Sequence, residues 1–313
     1  METINENSKF FFIINPKAGN VFEKREWGKI EKLLYNEAIN YDYSFTEHIG
    51  HAQQIVIEKI NLGYRKFVVL GGDGTLNEVI NGIFKQKNVP TNEIYIGLFC
   101  LGTGNDWAKY YNFTHDYNES IKRLKNEKYQ SQDIGKIAHY INGQKQESFF
   151  INVAGTCFEA VVVNETNKMK TRGHRNKTAY LWALLKSLFS YKSWKLKIFI
   201  NNQSLEGKFL SISIGNGKYS GGGMMQAPNA IIDDGQFDVV LYSNMTKLKM
   251  ILNVKNLYNG KIHTVKGIEA YRTDSLTIEV IETPNCFAQM DGEIIYGTKY
   301  EFSMLHKAIN VMI

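Results

Sequence analysis

A chain of 313 residues, 43% hydrophobic and 22% charged, has the length for roughly two domains and an ordinary globular composition, which excludes an intrinsically disordered chain. The net charge of +6 is modest and comes with no nucleic-acid-binding motif, and no run approaches the ~18 apolar residues that a membrane-spanning helix needs. Cys100, Cys157 and Cys286 are widely spaced and the first residues are polar and acidic, so a reducing cytosol is expected rather than a disulfide framework, a zinc site or export.

Residues 10–14 read as an apolar strand that ends in Asn15-Pro16-Lys17-Ala18-Gly19-Asn20. Trp27, Ile30, Leu34 and Ala38 then keep helical spacing. Residues 41–46 are a second strand, and Ala52, Ile55, Val56 and Ile60 mark a second helix. A third strand, 67–70, runs into Gly71-Gly72-Asp73-Gly74-Thr75-Leu76-Asn77-Glu78-Val79-Ile80-Asn81-Gly82, where Leu76, Val79, Ile80 and Ile83 continue as a helix. Thr75 and Glu78 have capping-box spacing, which sets the start of that helix. A fourth strand, 94–101, precedes Gly102-Thr103-Gly104-Asn105-Asp106, which opens another helix. This alternation implies an α/β domain with a doubly wound, mostly parallel sheet, whose ligand binds at the carboxyl ends of the strands.

The texture changes after about residue 133. Strand-like runs at 149–154, 195–200, 209–215, 237–242, 275–280 and 286–290 are separated by turn signals such as Asn142-Gly143 and Asp234-Gly235, with helical segments near 178–191 and 246–258. A second, β-rich antiparallel, sandwich-like domain over 134–297 follows. No low-complexity linker separates it from 1–133, so close packing with a cleft between the domains is expected.

Three glycines beside an aspartate let a backbone approach a polyphosphate, with amides and a helix N-terminus facing its charge. The familiar phosphate loops do not fit: there is no Gly-x4-Gly-Lys-Ser/Thr, and Gly72 begins Gly-x-Gly-x-x-Asn, without the third dinucleotide-fold glycine. The twelve residues 71–82 instead resemble the signature of the diacylglycerol-kinase-like lipid kinases, a group that includes sphingosine and ceramide kinases. NAD kinases share only the Gly-Gly-Asp-Gly-Thr core. Four more segments resemble the family in its own order.

By that resemblance, Asn15, Pro16, Lys17, Gly19, Thr46, Gly71, Gly72, Asp73, Gly74, Thr75, Asn77, Gly102 and Thr103 would contact ATP, with Asp73 acting through Mg²⁺. Asn105 and Asp106 are either part of that pocket or ordinary helix N-terminal residues. The segment 227–238 resembles the family's structural Mg²⁺ loop, which makes Asp234 a carboxylate ligand beside the carbonyls of Ile231 and Gln236. Met290-Asp291-Gly292-Glu293 resembles the acceptor-side motif, in which one of Asp291 and Glu293 is the base and the other orients it or helps to hold metal; the sequence does not rank them. Residues 298–313 would return to the first domain.

The implied activity is transfer of the γ-phosphoryl group of ATP to a lipid hydroxyl, with diacylglycerol as acceptor. The protein would be cytoplasmic, touching the inner face of the membrane transiently, and dimers known in the family leave a homodimer open. The alternatives are an NAD kinase or a non-catalytic nucleotide- or lipid-binding regulator. Lys168, Lys170, Arg172, Arg175 and Lys177 form either a solvated loop or a patch for anionic lipid. The stripe Tyr180, Leu181, Leu184, Leu185 and Leu188, with Trp182 and Phe189 nearby, is either core or the edge of an acyl-chain groove.

Overall fold

The computed structural model describes residues 8–19, 24–101, 104–141, 143–171, 187–188, 191–243, 245–282 and 286–313. The chain divides into two compact units, 1–133 with 307–313, and 134–306. Strands Tyr129–Ile141 and Lys299–Met312 carry the chain from one unit to the other. The second crossing falls beside Lys307, which has φ 47° and donates its main-chain N–H to Asp133 Oδ1 at 2.6 Å.

The first unit is a parallel sheet. Strands β1 (Phe10–Ile14), β2 (Tyr41–Phe45), β3 (Lys66–Gly71) and β4 (Tyr95–Cys100) lie in the order β2-β1-β3-β4, and Asn310 and Val311 add a further parallel pairing beside β4. Period-two alternation serves both faces of β1. Phe10, Phe12 and Ile14 pack with Trp27, Ile30 and Leu34 of helix α1 (Lys24–Asn36). Phe11 points the other way, under Lys59 of α2 (His51–Asn61), which packs on α3 (Asp73–Lys85). Helix α1 stops at Asn36, short of the expected Ala38, which sits in the left-handed region at φ 54°.

Helix α3 starts earlier than its capping-box spacing suggests. Its N-cap is Gly72, with no side-chain cap. Thr75 and Glu78 are engaged elsewhere: Thr75 bonds Asn15, and Glu78 accepts the N–H groups of Gly50 and Ala52 at 2.9 and 3.1 Å, placing a carboxylate at the N-terminus of α2. Two short helices follow β4, α4 (Asp106–Tyr110) and α5 (Tyr117–Asn126).

The second unit holds a six-stranded antiparallel sheet in the order Ile268–Thr273, Phe237–Tyr242, Ser211–Gly215, Val153–Cys157, Phe287–Met290, Glu293–Tyr296. Trp194–Ile200 pairs with Gln203–Phe209 and with Ser275–Val280, which also pairs with the 299–303 stretch. Ile212, Ile214 and Val239 share one core with Leu196, Ile198, Leu276 and Phe302. The expected strand 209–215 is two strands: the chain changes sheet at Leu210, whose N–H donates to Tyr242 O at 2.9 Å. Helix α6 (Phe158–Thr171) escaped the sequence reading because its Val161-Val162-Val163 run has strand propensity. Helix α7 (Lys247–Tyr258) matches the helical segment expected near 246–258. No helix among the described residues is long and apolar enough to cross a membrane.

Candidate active site

In the first unit the chain leaves β1 and β3 in opposite directions along the sheet, so their carboxyl ends border a crevice. The expected nucleotide residues that are described gather around it. Asn15 follows β1, and its Nδ2 donates to Thr75 Oγ1 at 2.9 Å, tying the first turn to α3. Asn15 Oδ1 accepts the Lys17 N–H at 2.9 Å, an Asx-turn that leaves the Lys17 side chain exposed. Thr46 is buried beside the same strand end, its N–H on Ile14 O at 2.8 Å.

Two glycines there have no substitute. Gly19 has φ 68°, and a Cβ on it would strike the carbonyl oxygen of Leu101. A Cβ on Gly71 would lie 2.8 Å from the Thr75 side chain. Gly72 caps α3, and Gly74 is exposed in its first turn, where helix amides have no intrahelical acceptor. Asn77 is buried one turn further on, its Oδ1 accepting from Asn81 Nδ2 at 3.2 Å. Asp73 Oδ2 accepts the Asp106 N–H at 3.3 Å. Asn105, at φ 45°, is the N-cap of α4, and Asp106 pairs with Lys109 at 2.5 Å. Gly102 and Thr103 lie outside the described residues.

In the second unit, Asp291 and Gly292 form a two-residue hairpin turn with φ 48° and 92°, between paired Met290 and Glu293. The Asp291 carboxylate accepts three main-chain N–H groups: Ile151 at 2.8 Å on Oδ2, and Asn152 and Val153 at 3.1 and 3.0 Å on Oδ1. Asn167 Nδ2 donates to Gly292 O at 2.8 Å, and Gly292 N–H donates to Gln289 Oε1 at 3.1 Å. Glu293, the first residue of the next strand, is exposed. The turn is therefore rigid: Asp291 anchors it and Glu293 is presented by it.

Behind the turn lies a buried polar network that sequence reading missed. Gln289 Nε2 donates to Glu159 Oε1 at 2.8 Å, and Glu159 Oε2 meets Ser213 Oγ, which also meets Gln226 Oε1. Burial pushes the Glu159 carboxyl up to about 8, against the pull of its bonds to Ser213 and Gln289. A protonated Glu159 also satisfies the geometry, because the single Ser213 proton cannot serve two acceptors. The carboxyl O–H donates to Ser213, which donates to Gln226. No spacing in the sequence links positions 159, 213 and 289; a lone acid inside an apolar run was the only signal.

The expected metal loop is neutralised differently. Asp234 Oδ2 is ion-paired with Arg272, and its Oδ1 accepts the Gln236 N–H at 3.0 Å. Arg272 Nε also stands 3.8 Å from Asp238 Oδ2. Burial raises Asp238 to about 6, with Arg272 opposing and Asp234 adding to the shift. The side chain of Ile231 is exposed. The described residues include no group of three or more His, Cys, Asp or Glu side chains placed to share a metal. A guanidinium thus already sits on Asp234, where the expectation puts Mg²⁺ beside the main-chain carbonyls of Ile231 and Gln236.

Of the basic run, Lys168 pairs with Glu165 at 2.8 Å. Arg172, Arg175, Lys177, Tyr180, Leu181, Trp182, Leu184, Leu185 and Phe189 lie outside the described residues, as does the side chain of Lys170. Leu188 is buried in the core of the second unit.

With this geometry in place, comparison with known proteins is informative. Residues 9–137 match the family described as the diacylglycerol kinase catalytic domain, and residues 152–313 match the YegS C-terminal NAD kinase beta sandwich-like domain. The "Putative lipid kinase YtlR" of Bacillus subtilis (strain 168) is 26% identical over 308 residues, covering 95% of this chain and 96% of the relative. A "Putative lipid kinase" of Staphylococcus carnosus (strain TM300) is 28% identical over 257 residues, 80% of this chain and 78% of its own. A crystal structure titled "a putative diacylglycerol kinase from Bacillus anthracis str. Sterne" has a TM-score of 0.77, covers 97% of each chain and is 23% identical, a likeness of fold.

Two outcomes follow from the second unit. A folded-state carboxyl raised from 4.5 to about 8 keeps its proton where the unfolded chain loses it, so stability declines as pH rises through that window. Denaturant unfolding of Glu159→Gln across the same window should lack that decline, because the amide mimics the protonated acid; parallel curves for both proteins would remove the neutral-acid assignment. Arg272→Leu should cost about 1 kcal/mol or more by leaving Asp234 and the buried Asp238 without their cation.

Proposed function

This chain belongs to the YegS-like family of lipid kinases, which joins a diacylglycerol kinase catalytic domain to a β-sandwich-like domain, and from that premise we propose that it transfers the γ-phosphoryl group of ATP to the free hydroxyl of diacylglycerol, giving phosphatidic acid. The observation that carries the proposal is the Asn15–Thr75 bond. It holds a glycine-rich turn and the start of α3 at the crevice where a sheet of this order takes its ligand. Residues 15–19 and 71–77 then cradle the phosphates through main-chain N–H groups, with the exposed Lys17 adding positive charge. Asp73 would hold the Mg²⁺ that accompanies ATP, which neutralises phosphate charge as it moves to the leaving oxygen.

The two acceptor-side carboxylates differ in anchoring and in exposure. Asp291 is committed to three N–H donors and serves as the anchor. Glu293, exposed at the end of a rigid turn, takes the proton from the attacking hydroxyl, which is a poor nucleophile at neutral pH. The diacylglycerol reading puts the acceptor in a bilayer, so turnover requires transient contact with a membrane surface, on the cytoplasmic side where ATP is available.

The test is a transfer assay with γ-labelled ATP, Mg²⁺ and mixed micelles carrying diacylglycerol, with other lipid alcohols and NAD in parallel. Label in phosphatidic acid is expected; label only in another lipid would replace the acceptor, and label only in NAD would replace the function. Glu293→Gln should lower turnover ~100-fold or more with an unchanged melting temperature. Asp291→Asn should lose turnover together with about 2 kcal/mol of stability, since its amide NH₂ faces main-chain donors. If Asp291→Asn proves as stable as the wild type and Glu293→Gln retains full turnover, the two roles are misassigned.

A further inference from the structure

Helix α7 is apolar on both faces. Inward, Leu257 is buried and Met250 packs against the core of the second unit. Outward, Leu248 is 67% exposed, Leu252 73%, Tyr258 53% and Ile251 38%. A helix with apolar residues on both sides is ordinarily buried on both. These four positions fall on one side of the helix, three, four and seven residues apart, as a single contact surface requires.

The charge around that surface selects its occupant. Residues 239–268 contain Lys247, Lys249, Lys255, Lys261 and Lys266 and no acid in thirty positions. The flanking acid is Glu269, which accepts from Ser243 Oγ and Tyr271 Oη at 2.8 Å each. Lys255 lies in the last turn, where the helix dipole favours a cation, and Lys249 Nζ donates to Lys266 O. Lys247 and Lys249 sit in its first turn, where the helix dipole disfavours cations, and that turn has no acid. Exposed leucines ringed by lysines are what an anionic bilayer surface attracts: the leucines enter the acyl boundary while the ammonium groups meet the headgroups.

We infer that the outward face of α7, Leu248, Ile251, Leu252 and Tyr258 with its surrounding lysines, is the surface on which this protein docks on an anionic lipid bilayer. The inference deepens the lipid-kinase reading and rests on it for its purpose. The docking itself is physically separate from phosphoryl transfer, and none of these residues belongs to the candidate nucleotide or acceptor sites.

The test is co-sedimentation of the full chain with phosphatidylcholine vesicles, with and without phosphatidylglycerol, alongside turnover on dispersed short-chain diacylglycerol. The wild type should partition onto the anionic vesicles, and less so as salt rises. Leu248→Gln with Leu252→Gln should weaken partitioning at least ~tenfold, and Lys255→Gln, Lys261→Gln and Lys266→Gln by about fivefold each. Thermal melts and turnover on the dispersed substrate should stay at wild-type values. Wild-type protein that ignores anionic vesicles, or variants that bind them as well as wild type, would overturn the inference. So would a wild-type dimer that becomes monomeric in Leu248→Gln/Leu252→Gln while vesicle binding is unchanged, since a second copy would then cover this face. Vesicle binding without any lipid phosphorylation would sink the kinase reading and leave the surface standing.

Discussion

The bond from Asn15 to Thr75 joins two strand ends from which the chain departs in opposite directions. That divergence opens a crevice, and a crevice at the carboxyl edge of parallel strands is lined with outward-pointing main-chain groups. Without a tie across it, the turn after β1 and the start of α3 would be independent loops. With the tie, Gly19 must pass under the carbonyl of Leu101 and Gly71 must pass against Thr75, and neither contact leaves room for a side chain. The glycine-rich sequence is thus a consequence of close backbone approach before it is a matter of phosphate.

The second unit applies another constraint to its own candidate residues. A carboxylate that accepts three main-chain N–H groups is held as firmly as a cap at a helix end. Asp291 pins a left-handed hairpin turn, while Gln289 and Asn167 secure the Gly292 peptide from both sides. Gln289 is in turn fixed by Glu159, a buried acid whose neutrality spares the cost of an unpaired charge. These bonds fix the main chain of the turn from which the exposed Glu293 projects.

The Asp234 loop shows how the same acidic sequence supports different electrostatics. Two acids close together need a cation, and here Arg272 supplies it from the neighbouring strand. Helix α7 has the opposite arrangement, with five lysines and no acid over residues 239–268 and apolar side chains facing outward.

Much of this was legible in the chain itself. Strand–helix alternation, the run 71–82 and the Asp-Gly turn at 291–292 determined the parallel α/β unit, the glycine-rich turn and the hairpin, because period, turn chemistry and helix starts act over a few residues. Tertiary structure alone decided that Thr75 bonds Asn15 and Glu78 caps α2 instead of forming a capping box, that the 203–215 stretch changes sheet at Leu210, and that Asp291 is an anchor. It alone brought Glu159, Ser213 and Gln289 together and paired Asp234 with Arg272. Each of these depends on groups tens to hundreds of residues apart, and burial, not spacing, chooses their partners. The sequence determined which chemistry the chain can offer; packing decided which of its polar groups are spent on the fold.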